Sequence, residues 1–183
     1  LFLRETRTYE IIEDVKNFRS EIGVLFLNSY NRDVLTKMFD DNRLTYTSLF
    51  KARPHIFVSK SNPLAKHEVV SLEDLEDFPY LSYDQGIHNS FYYSEEILSQ
   101  IPHKKSIVVS DRATLFNLLI GLDGYTIATG ILNSNLNGDN IVSIPLDIDD
   151  EIDIVYLKHE KATLSKMGEK FLDNLVKEVT FDN

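Results

Sequence analysis

Cysteine and tryptophan are missing from these 183 residues, and glycine, proline and methionine are sparse, at seven, five and two. Without cysteine there is no disulfide framework and no thiolate metal site, which agrees with a reducing compartment. Basic residues are short as well: 19 Lys and Arg face 29 Asp and Glu, for a net charge of −10 and a pI near 4.9. A protein that wraps a nucleic-acid backbone needs clustered cations to displace counterions, and the adjacent pair Lys104-Lys105 is no such patch. No apolar run approaches the roughly 18 residues a membrane-spanning helix needs. The N-terminus lacks the basic-then-apolar layout of a signal peptide. The expectation is a soluble, cytoplasmic protein with no membrane partner. The chain opens on LFLRET without an initiator Met and reads as part of a longer protein.

The motifs of common chemistries are missing too. There is no GxSxG elbow for an activated serine, and no GxGxxG or GxxxxGK[ST] to cradle a nucleotide phosphate. The five histidines, His55, His67, His88, His103 and His159, are dispersed and do not form HExxH or another compact ligand set. The acidic run 147–153 lacks the Asp, Gly and Glu positions of a calcium loop and reads as a solvated linker. No metal, no cofactor and no enzymatic activity are expected.

What is present is globular composition, 43% hydrophobic and 26% charged, enough to bury a sizeable core in one or two units. Organisation is clearest over 106–130, SIVVSDRATLFNLLIGLDGYTIATG. An extended run at 107–109 is followed by Ser110-Asp111, either of which can cap a helix. Leu115, Phe116, Leu118, Leu119 and Leu122 then give an apolar face at helical spacing. Gly121 and Gly124 suit a helix exit and a tight turn into a second strand at 125–129. This is a β-α-β unit. In open α/β sheets, ligands meet the carboxyl ends of strands and the bare N–H groups of helix N-termini, so Ser110, Thr129 and Gly130 are candidates as well as turn and cap residues.

In chain order, residues 1–5 read as a strand, Thr8 as an N-cap, and 9–18 as a helix with Ile11, Ile12, Val15 and Phe18 on one face. EIGVLFL at 21–27 is nearly all apolar, which predicts a strand covered on both faces in a parallel sheet, with Asn28-Ser29-Tyr30 at its carboxyl end. A short helix at 33–39 and a polar link over 40–47 precede a strand that includes HIFVSK. Ser71 opens a helix with acidic residues at its positive end, 80–83 form a short strand, and 91–100 a helix. The Asn-rich stretch 133–140 reads as a surface loop. Strands follow at 141–144 and 152–157, with an amphipathic helix at 165–179.

This order resembles the effector-binding domain of LysR-type transcriptional regulators. The segments that carry the likeness are EIIEDVKNFRSEIGVLFL at 10–27, HIFVSKSNPLAKHEVVSLEDLEDFPYLSY at 55–83 and SDRATLFNLLIGLDGYTIATGIL at 110–132. One departure is Gly130, which stands where the family usually has proline. The resemblance implies an α/β fold like the type 2 periplasmic binding proteins, with two Rossmann-like lobes joined by two crossover strands. These would be 1–58 with 151–183, and 59–150. The family's first strand and helix would be missing in front of LFLRET.

The function implied is effector sensing and oligomerisation, with a small polar metabolite bound in an inter-lobe cleft to control transcription. An amino acid or its precursor is the first class to consider. The partners implied are a second copy, giving a dimer of this domain and a tetramer of the whole regulator, and DNA only through a separate N-terminal domain. A solute-binding protein of a transporter is the alternative with the same fold. The candidate effector contacts are Asn28, Ser29 and Tyr30 from the first lobe, with Ser82, Gln85, Asn89, Ser90, Ser110, Thr129 and Gly130 from the second.

Overall fold

A computed structural model describes residues 1–88, 90–94, 96–132 and 139–181, with residues 178–181 by their backbone alone. The chain divides into two units, Leu1–Ala52 with Glu151–Asn183, and Arg53–Asp150.

The first unit holds α1 (Thr8–Lys16), β1 (Gly23–Leu27), α2 (Arg32–Asp41), β2 (Leu44–Ala52), β8 (Ile152–His159) and α4 (Lys166–Phe181). Its sheet has the order β1-β8-β2, and β8 runs antiparallel to both neighbours. The parallel pairing expected of 21–27 is therefore corrected. An apolar run reports burial but says nothing of a neighbour's direction, and β1 alternates between buried Gly23, Leu25 and Leu27 and half-buried Val24 and Phe26. Gly23 is required by packing, since a Cβ there would lie 2.5 Å from Ile11 Cγ2. The link expected at 40–47 is also corrected, because β2 starts at Leu44. Its residues are mostly exposed on a sheet edge, so hydrophobic alternation fails to mark it.

Residues 1–5 form no strand. Leu1, Phe2 and Leu3 are 89%, 89% and 75% exposed, at the rim of a cavity of about 450 Å³ whose walls include Ile11, Val24, Met167, Phe171 and Leu175. β-propensity needs a ladder partner, and among the described residues this segment has none. Arg4 ties it down instead, donating to Asp14 at 2.6 Å and Glu10 at 2.8 Å. Thr8 is not the cap expected of it: Arg7 occupies that position and Thr8 is the first helical residue.

The second unit is built on a five-stranded sheet. In chain order its strands are β3 (His55–Ser59), β4 (Tyr80–Tyr83), β5 (Ser106–Val109), β6 (Tyr125–Ala128) and β7 (Ile141–Pro145). Across the sheet the order is β5-β4-β6-β3-β7. β4 runs parallel to β5 and β6, while β3 runs antiparallel to β6 and β7. The expected β-α-β unit is present: β5 leads through α3 (Arg112–Gly121) to β6, with β4 between the two strands. Leu115 and Leu119 of α3 pack with Phe57, Leu81, Val109 and Ile141 as the core.

Two expected helices are corrected to single turns. Among the described residues of these two stretches, only Glu73–Leu75 and Phe91–Tyr93 are helical, each one 3-10 turn. At the first, Ser71 and Asp74 form a reciprocal capping box: Asp74 accepts from the Ser71 N–H at 2.8 Å, and the Ser71 hydroxyl accepts from the Asp74 N–H at 3.3 Å. Pro79 leaves little room for the helix to continue. Of the expected loop, residues 133–138 lie outside the described residues.

Candidate functional site

Parallel strands share a carboxyl edge, and β4, β5 and β6 end there at Tyr83, Val109 and Ala128. The register extends the edge further, because His55 opens β3 opposite Ala128 and Pro145 closes β7 opposite His55. The residues that follow the parallel strands, Asp84-Gln85, Ser110-Asp111 and Thr129-Gly130, therefore gather on one side of the second unit.

Each has a local job. The Asp84 N–H donates to the Val109 carbonyl at 2.8 Å, carrying the ladder one step past β4. Gln85 donates from Nε2 to the Tyr83 carbonyl at 3.3 Å, while its Oε1 is sealed from solvent without a partner. Asp111 caps α3 by accepting from the Thr114 N–H at 2.9 Å and the Thr114 hydroxyl at 2.8 Å. Those bonds, the backbone one first, hold its carboxyl below the usual range. Ser110, the other candidate cap, is exposed and the cap position is Asp111. Asp111→Ala should therefore lower the urea midpoint, and Ser110→Ala should leave it unchanged. A larger loss from Ser110→Ala would reverse the assignment.

Gly130 has φ +81°, and a Cβ there would lie 2.5 Å from His55 Nδ1. Proline, fixed near φ −65°, cannot take this conformation, so the residue usual in the family would not fit here. The Gly130 carbonyl accepts from the Ser143 hydroxyl at 3.2 Å, and His55 Nδ1 lies 2.9 Å from the Arg53 carbonyl. Thr129 is half-buried beside it. Ser82 lies within β4, opposite Val108, rather than beyond the strand end. Ser90 is exposed, and its carbonyl accepts from Tyr93 N–H at 2.9 Å in the turn that follows. Asn89 lies outside the described residues.

In the first unit, Asn28, Ser29 and Tyr30 follow β1 as expected. Asn28 is 3% exposed, and its Oδ1 accepts from the N–H groups of Tyr30 at 3.1 Å and Asn31 at 3.0 Å. Its own N–H donates to Asn31 Oδ1 at 2.9 Å. This reciprocal pair fixes the turn into α2 and leaves Ser29 exposed at its tip.

Two features escaped the sequence. Arg32, on the first turn of α2, pairs with buried Asp153 at 3.3 Å and is 38% exposed, so a cation does stand at this strand end. Glu96, 3% exposed, accepts from the Tyr83 N–H at the end of β4, and its other oxygen accepts from the Ser94 hydroxyl at 3.3 Å. Both depend on partners distant in sequence. The sequence signal for Glu96 is slight, a Glu95-Glu96 pair running directly into Ile97-Leu98.

No curated protein sequence matches this chain. Among solved structures it is similar to HinK, a LysR family transcriptional regulator from Pseudomonas aeruginosa, at 15% identity over 96% of this chain and 59% of that one, with a TM-score of 0.65. It resembles the effector binding domain of QuiR in complex with shikimate, at 19% identity over 96% and 79% of the two chains, TM-score 0.63. It also resembles the BenM effector binding domain with its effector benzoate, at 19% over 97% and 77%, TM-score 0.63. The chain spans 59% of the length of HinK and of a second Pseudomonas aeruginosa protein. These likenesses show a periplasmic-binding-protein-like α/β fold. Residues 1–180 match the family model of the LysR substrate binding domain, and the chain belongs to that family, the effector-binding domain of LysR-type transcriptional regulators.

Proposed function

We propose that this domain senses a small polar metabolite bearing a carboxylate and passes the signal to a DNA-binding part of the same regulator. The match of residues 1–180 to the family carries this reading and favours it over a transporter's solute-binding protein. Shikimate and benzoate, bound by the QuiR and BenM domains, are both carboxylates. Amino acids and their precursors share that group and suit a set of hydroxyls and amides. In the second unit the contacts are Ser82, Gln85, Asn89, Ser90, Ser110, Thr129 and Gly130. In the first they are Asn28, Ser29 and Tyr30, with the exposed guanidinium of Arg32 nearby. The effector shifts the domain only through its differential affinity for two arrangements.

A net charge of −10 leaves DNA contact to another part of the regulator. The domain works as a dimer, in the cytoplasm with its DNA. No helix among the described residues is long and apolar enough to cross a membrane.

The experiment is a thermal-shift screen of amino acids, hydroxy acids and uncharged apolar compounds against the isolated domain. A ligand at a hundred times its Kd adds about 2.7 kcal/mol of stability. Thr129→Val keeps the shape and removes the hydroxyl, so it should weaken an identified effector by about tenfold, equivalent to one neutral hydrogen bond. Unchanged affinity removes Thr129 from the contacts. Stabilisation only by uncharged, apolar compounds would overturn the effector class.

A further inference from the structure

A second polar cluster lies at the amino end of the same sheet. Tyr80 and Tyr125 open β4 and β6, pair in register and are each 3% exposed. His103 stacks on Tyr80 with ring centroids 3.7 Å apart and planes at 15°, and its Nδ1 is 2.9 Å from the Tyr125 hydroxyl. Two atoms here are sealed from solvent without a hydrogen-bond partner, His103 Nε2 and the Tyr80 hydroxyl. Such atoms are costly to bury, and nothing in the effector edge requires them.

The chain connects this cluster to that edge. Residues 96–103 are pinned at both ends of β4, by Glu96 on the Tyr83 N–H and by His103 on Tyr80. Between the pins, Ile97 is 2% exposed and Leu98 has φ +61°, a left-handed conformation that strains a leucine. We infer that His103 is an acid-sensitive latch: on protonation its ring leaves the Tyr80 stack, segment 96–103 relaxes, and Glu96 loosens its hold on Tyr83 at the edge assigned to the effector. The consequence for effector affinity rests on the proposed function, whereas the latch does not.

The chemistry follows from counting donors. A neutral imidazole carries one N–H, which the Tyr125 hydroxyl can serve, but an imidazolium carries two. The second would be buried at Nε2 with no acceptor. From the packed strands, among the described residues, the ring contacts the phenols of Tyr80 and Tyr125, both neutral. Burial pushes the Tyr125 hydroxyl up to about 12, and burial first, then the Glu96 charge, holds Tyr80 well above 10. On its own segment, Lys104 pairs with Glu76, and Lys105 donates to the Asp77 carbonyl at 2.9 Å. Burial alone lowers the imidazole below its ordinary 6.5. The folded state therefore disfavours the proton that the unfolded chain accepts. Stability is complete above about 6.5 and falls as pH drops below it.

The test is an NMR titration of the chain from about pH 8 to about pH 5, the range in which histidine changes charge. It follows the His103 Cε1–H and the Tyr83 amide. The Tyr83 amide should shift upfield with the His103 midpoint as its bond to Glu96 weakens. In His103→Phe, which keeps a stacking ring without a titrating nitrogen, that shift should disappear. If the Tyr83 amide stays flat through the His103 transition, there is no coupling. If it titrates unchanged in His103→Phe, it reports Glu96 alone, and the latch is wrong. Should His103→Phe fail to fold, Glu96→Gln decides. A Tyr83 shift that persists there with the His103 midpoint supports the coupling, and one that vanishes while His103 still titrates assigns the signal to Glu96.

Discussion

Gly130→Ala should destabilise the second unit by about 3 kcal/mol in urea denaturation. Holding alanine in the left-handed region costs about 1–2 kcal/mol, and forcing a methyl into a packed site adds about 1–3 kcal/mol. Here the methyl would meet the His55 ring at 2.5 Å from Nδ1 and 2.6 Å from Cγ. The two contributions separate on a His55→Ala background. There Gly130→Ala should retain only the backbone cost, about 1–2 kcal/mol. A loss below about 0.5 kcal/mol in the parent, the range of ordinary surface substitutions, would show that the Gly130 conformation is not required. The same replacement should weaken effector binding, since it displaces Thr129-Gly130 from the edge they share with Ser110 and Gln85.

Leu81→Ala should cost about 3 kcal/mol, within the 2–5 usual for removing a buried leucine side chain. Leu81 is fully buried among Phe57, Val109, Leu115, Leu119 and Ile141. Part of the wall of its site is backbone: the Cβ position of Gly124 lies 3.0 Å from Leu81 Cδ1 and 3.1 Å from the Pro79 carbonyl. Backbone cannot collapse into a void as a side chain can, which places the loss above the low end of the range. The adjacent Ser82→Ala faces the other way on β4 and is half-buried. Its effect on stability should stay within about 0.5 kcal/mol, while effector affinity falls. If both variants lose stability equally, β4 does not separate a packing face from a binding face.

Elements whose signals are local were legible in the sequence. The β5-α3-β6 unit declares itself through two short apolar runs, an Asp cap and a glycine after the helix, all within one stretch of chain. The other elements depend on partners that sequence patterns do not name. The run before Leu27 reports that β1 is buried, but β8, far along the chain, decides that the pairing is antiparallel. β2 looks polar because it lies on a sheet edge. The acidic turn after Ser71 has helical residues and a sound capping box, but Pro79 leaves no length to propagate. Of the candidate site, the strand-end positions Gln85, Ser110, Thr129 and Gly130 followed from the parallel reading of β4 to β6. Glu96 and Arg32 did not, because each is defined by a bond to a residue elsewhere in the fold.

The order β1-β8-β2 also governs how the protein can be made. The two outer strands leave the ribosome early, and the strand that must lie between them comes only after the whole of the second unit has been synthesised. Until then β1 and β2 have facing edges with unpaired N–H and C=O groups, which template wrong pairings. The second unit is continuous in sequence and can fold while the first waits. Slow translation just before β8 would prolong the hazard, and a chaperone that shields β1 and β2 would act in that interval. Yield of folded protein should therefore respond more to the timing of synthesis than to stability measured on the finished chain.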